Sequence, residues 1–197
     1  MSSRSRESGF TILETVFVVG LIGVISAIAV PMFGQALAGF RLSGDARSVS
    51  NAIALAKMRA ASNFSRVRLY VDLSARSHHI EWWNKTTSTW VTEGGATSLN
   101  TGVTFSFGVV GAPPPNTQTT IAQASLCNDD AGVPILNTAC IIFNSRGVPI
   151  DSSFAPTGAD ALYLTDGSAV YGVTIAATGM LRMWRTLPAV TPTWGLN

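Results

Sequence analysis

A lone acid, Glu14, stands at the head of an uncharged run from Thr15 to Phe40. A carboxylate beside so apolar a stretch is costly to desolvate, and a close cation with good geometry offsets that cost. Either Glu14 meets such a cation, or it lies at the water boundary. Near the other end, Arg182, Trp184 and Arg185 combine guanidinium and indole. On a strand after Gly179, Arg182 and Trp184 share a face opposite Leu181 and Met183, with Arg185 at the strand's end. That chemistry suits phosphate attraction and base stacking, and it equally suits a solvated strand edge. His78 and His79 are neighbours, and on a strand they point to opposite faces, so they form no joint site without another partner. Asp129 and Asp130 make a solvated turn more readily than a calcium site, which needs six or more oxygens. There is no Ser/His/Asp set, phosphate loop or zinc-spaced cysteine group. The sequence therefore points away from an enzyme, with no catalytic residue, cofactor or metal expected.

The element that positions Glu14 is a long helix. From Phe10 to Pro31 it measures about 33 Å at 1.5 Å per residue, against a hydrocarbon core of roughly 30 Å. Residues 10–33 thus form a candidate membrane helix. Arg4 and Arg6 precede it and no cation follows until Arg41. The positive-inside rule then puts the first nine residues in the cytoplasm and the bulk outside. A conventional cleaved signal peptide is disfavoured, because the small-x-small site Ala27-Ile28-Ala29 would remove the Glu14 segment. The 197 residues, 47% hydrophobic and 12% charged, suffice for that anchor and one ordinary domain.

Beyond the anchor, Leu42, Ala46, Val49, Ile53, Ala56, Ala60 and Phe64 recur at three- and four-residue intervals as one apolar stripe. The helix therefore continues, with Pro31, Gly34, Gly39 and Gly44 marking a junction where bending or local melting is expected. Strands follow. Val67, Leu69, Val71 and Leu73 alternate toward a core, and His79–Trp83, Trp90–Val91, Val103–Phe107, Ile121–Leu126 and Ala139–Phe143 are further candidates. Leu162 and Leu164 precede an Asp166-Gly167 hairpin turn, after which Val173, Ile175, Leu181 and Met183 continue a sheet. Pro113-Pro114-Pro115 marks an extended loop, and the tail from Leu187 has little to order it. Cys127 and Cys140 bracket another loop. Outside the cytoplasm they pair, worth about 3 kcal/mol in the loop-entropy model; two buried free thiols are the alternative.

The leader, Gly9-Phe10, Glu14 five residues after the glycine, and Pro31 near the end of the span together resemble the processing region of type IV prepilins and type II secretion pseudopilins. In the rest of the chain, the apolar strand, the Asn144-Ser145-Arg146-Gly147 turn and the Thr178-Gly179-x-x-Arg182 hairpin resemble the GspH/FimT group of minor pilins. The resemblance implies an α+β pilin fold: a long N-terminal helix, membrane-spanning in its first half, packed on an antiparallel sheet. It divides the chain into a leader (1–9), a transmembrane and assembly helix (10–33) and a periplasmic domain (34–197).

The resemblance also implies functional residues. A prepilin peptidase cuts between Gly9 and Phe10, Phe10 is N-methylated, and Pro31 distorts the helix. Glu14 pairs with the terminal amine of a neighbouring subunit during assembly. The implied role is structural, in a type IV pilus, priming assembly or at the tip, with a type II secretion pseudopilus as the alternative. The implied partners are the peptidase, other pilins or pseudopilins and the inner membrane. Some FimT-type pilins bind DNA in natural transformation through a C-terminal Gly-Arg-x-Arg motif. Here Met180 replaces its first arginine and only Arg182 aligns. After Phe33, eleven cations face nine anions, a weak basic excess. A solvated edge or pilin–pilin contact at Arg182, Trp184 and Arg185 therefore ranks above DNA.

Overall fold

The computed structural model describes residues 11–197, leaving aside the side chains of 30–32, 35 and 36. Gly9 and Phe10, and with them the leader, lie outside the described residues. Helix α1 spans Ile12–Ser62 and is unbroken across Pro31, Gly34, Gly39 and Gly44; the local melting expected there is not seen. The chain divides into two compact units, one ending at Ala38 and the other covering Gly39–Asn197. In the first, Ile12–Ala29 is apolar and long enough to cross a membrane, and none of it is buried.

In the second unit, the stripe does what its spacing predicts. Leu42, Ala46, Val49, Ile53, Ala56 and Ala60 are all buried in the main core. Phe64 departs from the stripe, because the helix has ended and its backbone has entered the left-handed region (φ 47°), leaving the ring 74% exposed. Two polar ties fix this part of α1. Asp45 accepts hydrogen bonds from the Asn100 backbone N–H (2.8 Å) and side-chain Nδ2 (2.7 Å). Lys57 Nζ donates to the Gly179 carbonyl (2.9 Å).

The strands are β1 (Val67–Asp72), β2 (Ser77–Asn84), β3 (Thr89–Ser98), β4 (Cys127–Asn128), β5 (Pro134–Ile135), β6 (Thr138–Phe143), β7 (Pro149–Ile150), β8 (Ala161–Thr165), β9 (Val170–Ile175), β10 (Leu181–Thr186) and β11 (Gly195–Leu196). They form two antiparallel sheets, β3-β2-β1-β6-β7 and β11-β10-β9-β8, with β4 and β5 as a separate ribbon. A helix on antiparallel sheet is therefore the architecture, with the expected single sheet resolved into two. Leu69 pairs with Ile80 on β2 and Ile141 on β6, and the inward residues of β1 and β6 join Leu162, Leu164, Val173 and Ile175 of the other sheet in the main core.

Several expected details differ. β3 runs through Gly94-Gly95 instead of stopping before it. Residues 103–107 and 121–126 bury Val103, Phe105, Ile121 and Ala124 without becoming strands. The tail is ordered: β11 pairs with β10, and Trp194 Nε1 donates to the Ala112 carbonyl (3.0 Å).

Candidate functional site

Glu14 lies in the first turn of α1. Its backbone N–H donates to Thr11 Oγ1 (3.3 Å), so Thr11 caps the helix and Glu14 occupies the third helical position. An acid there also favours the positive end of the helix dipole. The geometry thus gives Glu14 a local role at the helix start and leaves its carboxylate exposed. Pro31 sits inside the continuous helix.

Cys127 and Cys140 form a disulfide, with Cα atoms 4.9 Å apart. It clips the base of the β4–β5 ribbon against β6. Each of the two acids uses one oxygen locally: Asp129 Oδ1 accepts the Ala131 and Val133 N–H groups within the ribbon, and Asp130 Oδ1 accepts the Trp90 N–H of β3 (2.7 Å).

The arginine–tryptophan cluster near the C-terminus is not assembled as the sequence predicts. Trp184 is only 7% exposed, and its Nε1 donates to Thr174 Oγ1 (2.9 Å) between strands. Its indole is therefore closed to base stacking. Arg182 and Arg185 are both exposed but three residues apart on β10, so they point to opposite faces. β10 has β9 on one side and β11, the tail strand that sequence reasoning missed, on the other, so it is interior to its sheet and not an edge.

A different cluster is present on the outer face of β1 and β2. The alternation that sends Val67, Leu69 and Val71 inward sends Arg66, Arg68 and Tyr70 outward. The register sets Arg68 opposite Glu81, Tyr70 opposite His79, and Trp83 opposite Trp90. Arg68 Nε is ion-paired with Glu81, Nη1 donates to the Asn128 carbonyl (2.6 Å), and the guanidinium lies 4.1 Å over the Trp90 ring. Burial lowers the Arg68 pKa from its ordinary value, while Glu81 acts in the opposite direction. His79 stacks on Tyr70 and contacts Glu81 Oε1 (3.1 Å). His78, on the other face, is buried against the edge of Phe105. Beside this network is a cavity of about 340 Å³, whose lining includes Arg66, Arg68, Trp83, Trp90 and Phe154 together with Asp129 and Asp130. Its signal was in the sequence, at the alternate positions of β1 that an inward-looking reading passes over.

No family model matches the sequence, and no curated protein matches it. Among solved structures, the chain is similar to two of the minor pseudopilin EpsH from the type II secretion system of Vibrio cholerae. Identity is 14% in both, with TM-scores of 0.46 and 0.45. The overlaps cover 73% and 78% of this chain and 95% of each of those.

Proposed function

We propose that this chain is a structural pilin-type subunit, made as a membrane-anchored precursor and assembled into a type IV pilus, priming assembly or sitting at its tip. The observation that carries the reading is the chemistry of α1. Its Ile12–Ala29 stretch is apolar apart from Glu14, Thr15 and Ser26 and has none of its length buried, whereas the stripe from Leu42 to Ala60 is buried in a folded unit. A helix with so much bare apolar surface needs lipid or like helices around it. In this reading a prepilin peptidase cuts the leader (1–9) after Gly9, Phe10 is N-methylated, residues 10–33 span the inner membrane and residues 34–197 face the periplasm. Pro31 distorts the helix as it packs, and the chain itself catalyses nothing.

Glu14 is the residue on which assembly turns. Its carboxylate, one turn into the apolar helix, pairs with the terminal amine of a neighbouring pilin and so avoids an isolated charge in lipid. Glu14→Ala is expected to leave leader cleavage intact, judged by mobility on gels, and to remove the chain from sheared surface filaments. Normal incorporation of that variant would overturn the assembly role. Deletion of the gene separates the machines: loss of pili supports the pilus, and loss of enzyme secretion with pili intact transfers the same structural role to a type II secretion pseudopilus. The burial of Trp184 removes the main support for DNA contact at Arg182, Trp184 and Arg185.

A further inference from the structure

Arg66 and Arg68 lie side by side on the outer face of the first sheet, and only one of them is satisfied. Arg68 is committed to Glu81 and to the Asn128 carbonyl. The Arg66 guanidinium lies over two rings, 4.5 Å from the Trp83 centroid and 4.2 Å from that of Phe154. Among the described residues its guanidinium has no hydrogen-bond or ion-pair partner. A guanidinium carries five N–H donors in a planar fork matched to an oxyanion. Contact with two rings restrains that fork without using its N–H donors, and burial lowers its pKa from the ordinary value.

The clamp is built at a conformational cost. Phe154 has φ 69°, in the left-handed region that a bulky side chain seldom adopts. The Asp151 turn holds it there, with Asp151 Oδ1 accepting the Ser153 and Ala155 N–H groups and the Asp151 carbonyl accepting Phe154 N–H (3.0 Å). Strain of this kind is concentrated at sites that bind something. The ring remains 57% exposed, so its own burial does not account for the arrangement.

Two acids in the lining limit what the pocket can hold. Asp129 and Asp130 each use Oδ1 on backbone N–H groups, and no hydrogen bond reaches the second oxygen of either among the described residues. Two carboxylates in the lining repel a polyanion such as nucleic acid, and they accept hydrogen bonds from N–H donors. The cavity, at about 340 Å³, is at the small end of ligand pockets and has Trp83, Trp90 and Ile142 as its apolar lining.

We propose that this pocket binds a single carboxylate on an acylated amino-acid unit, as at the carboxyl terminus of a peptide. Arg66 takes the carboxylate through its unpaired N–H donors, the tryptophans and Ile142 take an apolar side chain, and Asp129 and Asp130 accept the amide N–H. The site is independent of the assembly role of α1, and neither stands or falls with the other.

The test uses the full chain in an uncharged detergent, reading the indole N–H resonances of Trp83 and Trp90, with Trp82, Trp184 and Trp194 as internal references. The probes are N-acetylleucine, its neutral amide, and the acetylated tripeptide Gly-Gly-Leu with a free carboxyl terminus. Both acids are expected to shift Trp83 and Trp90 saturably, and the amide to bind at least about ten-fold more weakly. Comparable affinity for the two acids places recognition in the terminal unit alone, whereas a tripeptide advantage of about ten-fold or more makes a polypeptide terminus the source of the carboxylate. Arg66→Gln should weaken both acids by about ten-fold or more. Equal binding of acid and amide, or no shift with either acid up to about 10 mM, overturns the proposal whether or not the variant folds.

Discussion

His78 and Asp160 give the folded unit opposite responses to acid. His78 is 3% exposed, and no hydrogen bond reaches its Nδ1. Burial lowers its pKa below the ordinary value of 6.5, partly offset by Asp45. Below about pH 6.5 the unfolded chain therefore takes up a proton that the native state refuses, and stability falls as the pH drops. Asp160 behaves in the other sense. Burial, helped by Asp151, pushes its carboxyl up to about 6. Between about 4 and 6 the native state holds the extra proton, so its contribution is lost as pH rises through 6. Thermal melts from pH 4 to 8 test both. Asp160→Asn should stabilise the protein at pH 7 by roughly 1–2 kcal/mol and have little effect at pH 4. His78→Gln should flatten the fall in Tm between pH 7 and 5. An unchanged slope in the His78 variant, or an Asp160 variant no more stable at neutral pH, would show that these side chains are better solvated than their packing implies.

At the level of elements, Gly172 in the middle of β9 is a point of close approach. It pairs with Tyr163 of β8 and Trp184 of β10, and a Cβ there would meet the Tyr163 ring at 2.8 Å. That ring is fully buried, its hydroxyl donates to Gln118 Oε1 (2.7 Å), and it packs near Phe107 and Trp194. Gly172→Ala should therefore cost roughly 1–3 kcal/mol by overpacking, measured by urea unfolding; a neutral result would mean that the ring can move. This small cluster also shows why part of the fold was illegible. The helix stripe and strands β1, β2, β6, β8, β9 and β10 carry regular periodicity, which one sequence displays. The edge of β8 is closed by other means. Thr104 makes an isolated bridge to Thr165, Ala124 N–H donates to the Ala161 carbonyl (2.7 Å), and the Gln123 amide bonds both the N–H and the C=O of Tyr163 (2.9 Å each). A side-chain amide standing in for a strand leaves no alternation to find. β11 is likewise two residues long and held by the distant contact of Trp194 with Ala112. The Arg66 pocket was half legible: its arginines alternate visibly on β1, but Phe154 and Asp129 reach it from loops whose course only the folded chain reveals.

For the whole chain, the decisive fact is where the core begins. The main cluster starts at Leu42, and none of its members precedes that residue. The unit from Gly39 to Asn197 contains the rest of α1, both sheets and the disulfide, while Ile12–Ala29 buries nothing. Apolar surface stabilises only when it leaves water, so residues 12–38 should add nothing to the stability of the folded unit and should dominate its solubility. A fragment comprising residues 39–197 is expected to be soluble without detergent, to unfold cooperatively with its disulfide intact, and to match the full chain's Tm in detergent to within about 4 °C, the shift that corresponds to roughly 1 kcal/mol for a domain of this size. The full chain without detergent should aggregate. Shortening the fragment further, to begin after Val49, removes Leu42, Ala46 and Val49 from the core along with Asp45's bonds to Asn100 and should cost several kcal/mol. Calorimetry on the three forms distinguishes a helix shared between two solvents from one whose first half is part of the folded unit: a fragment from 39 that melts well below the full chain would place residues 12–38 in the core after all.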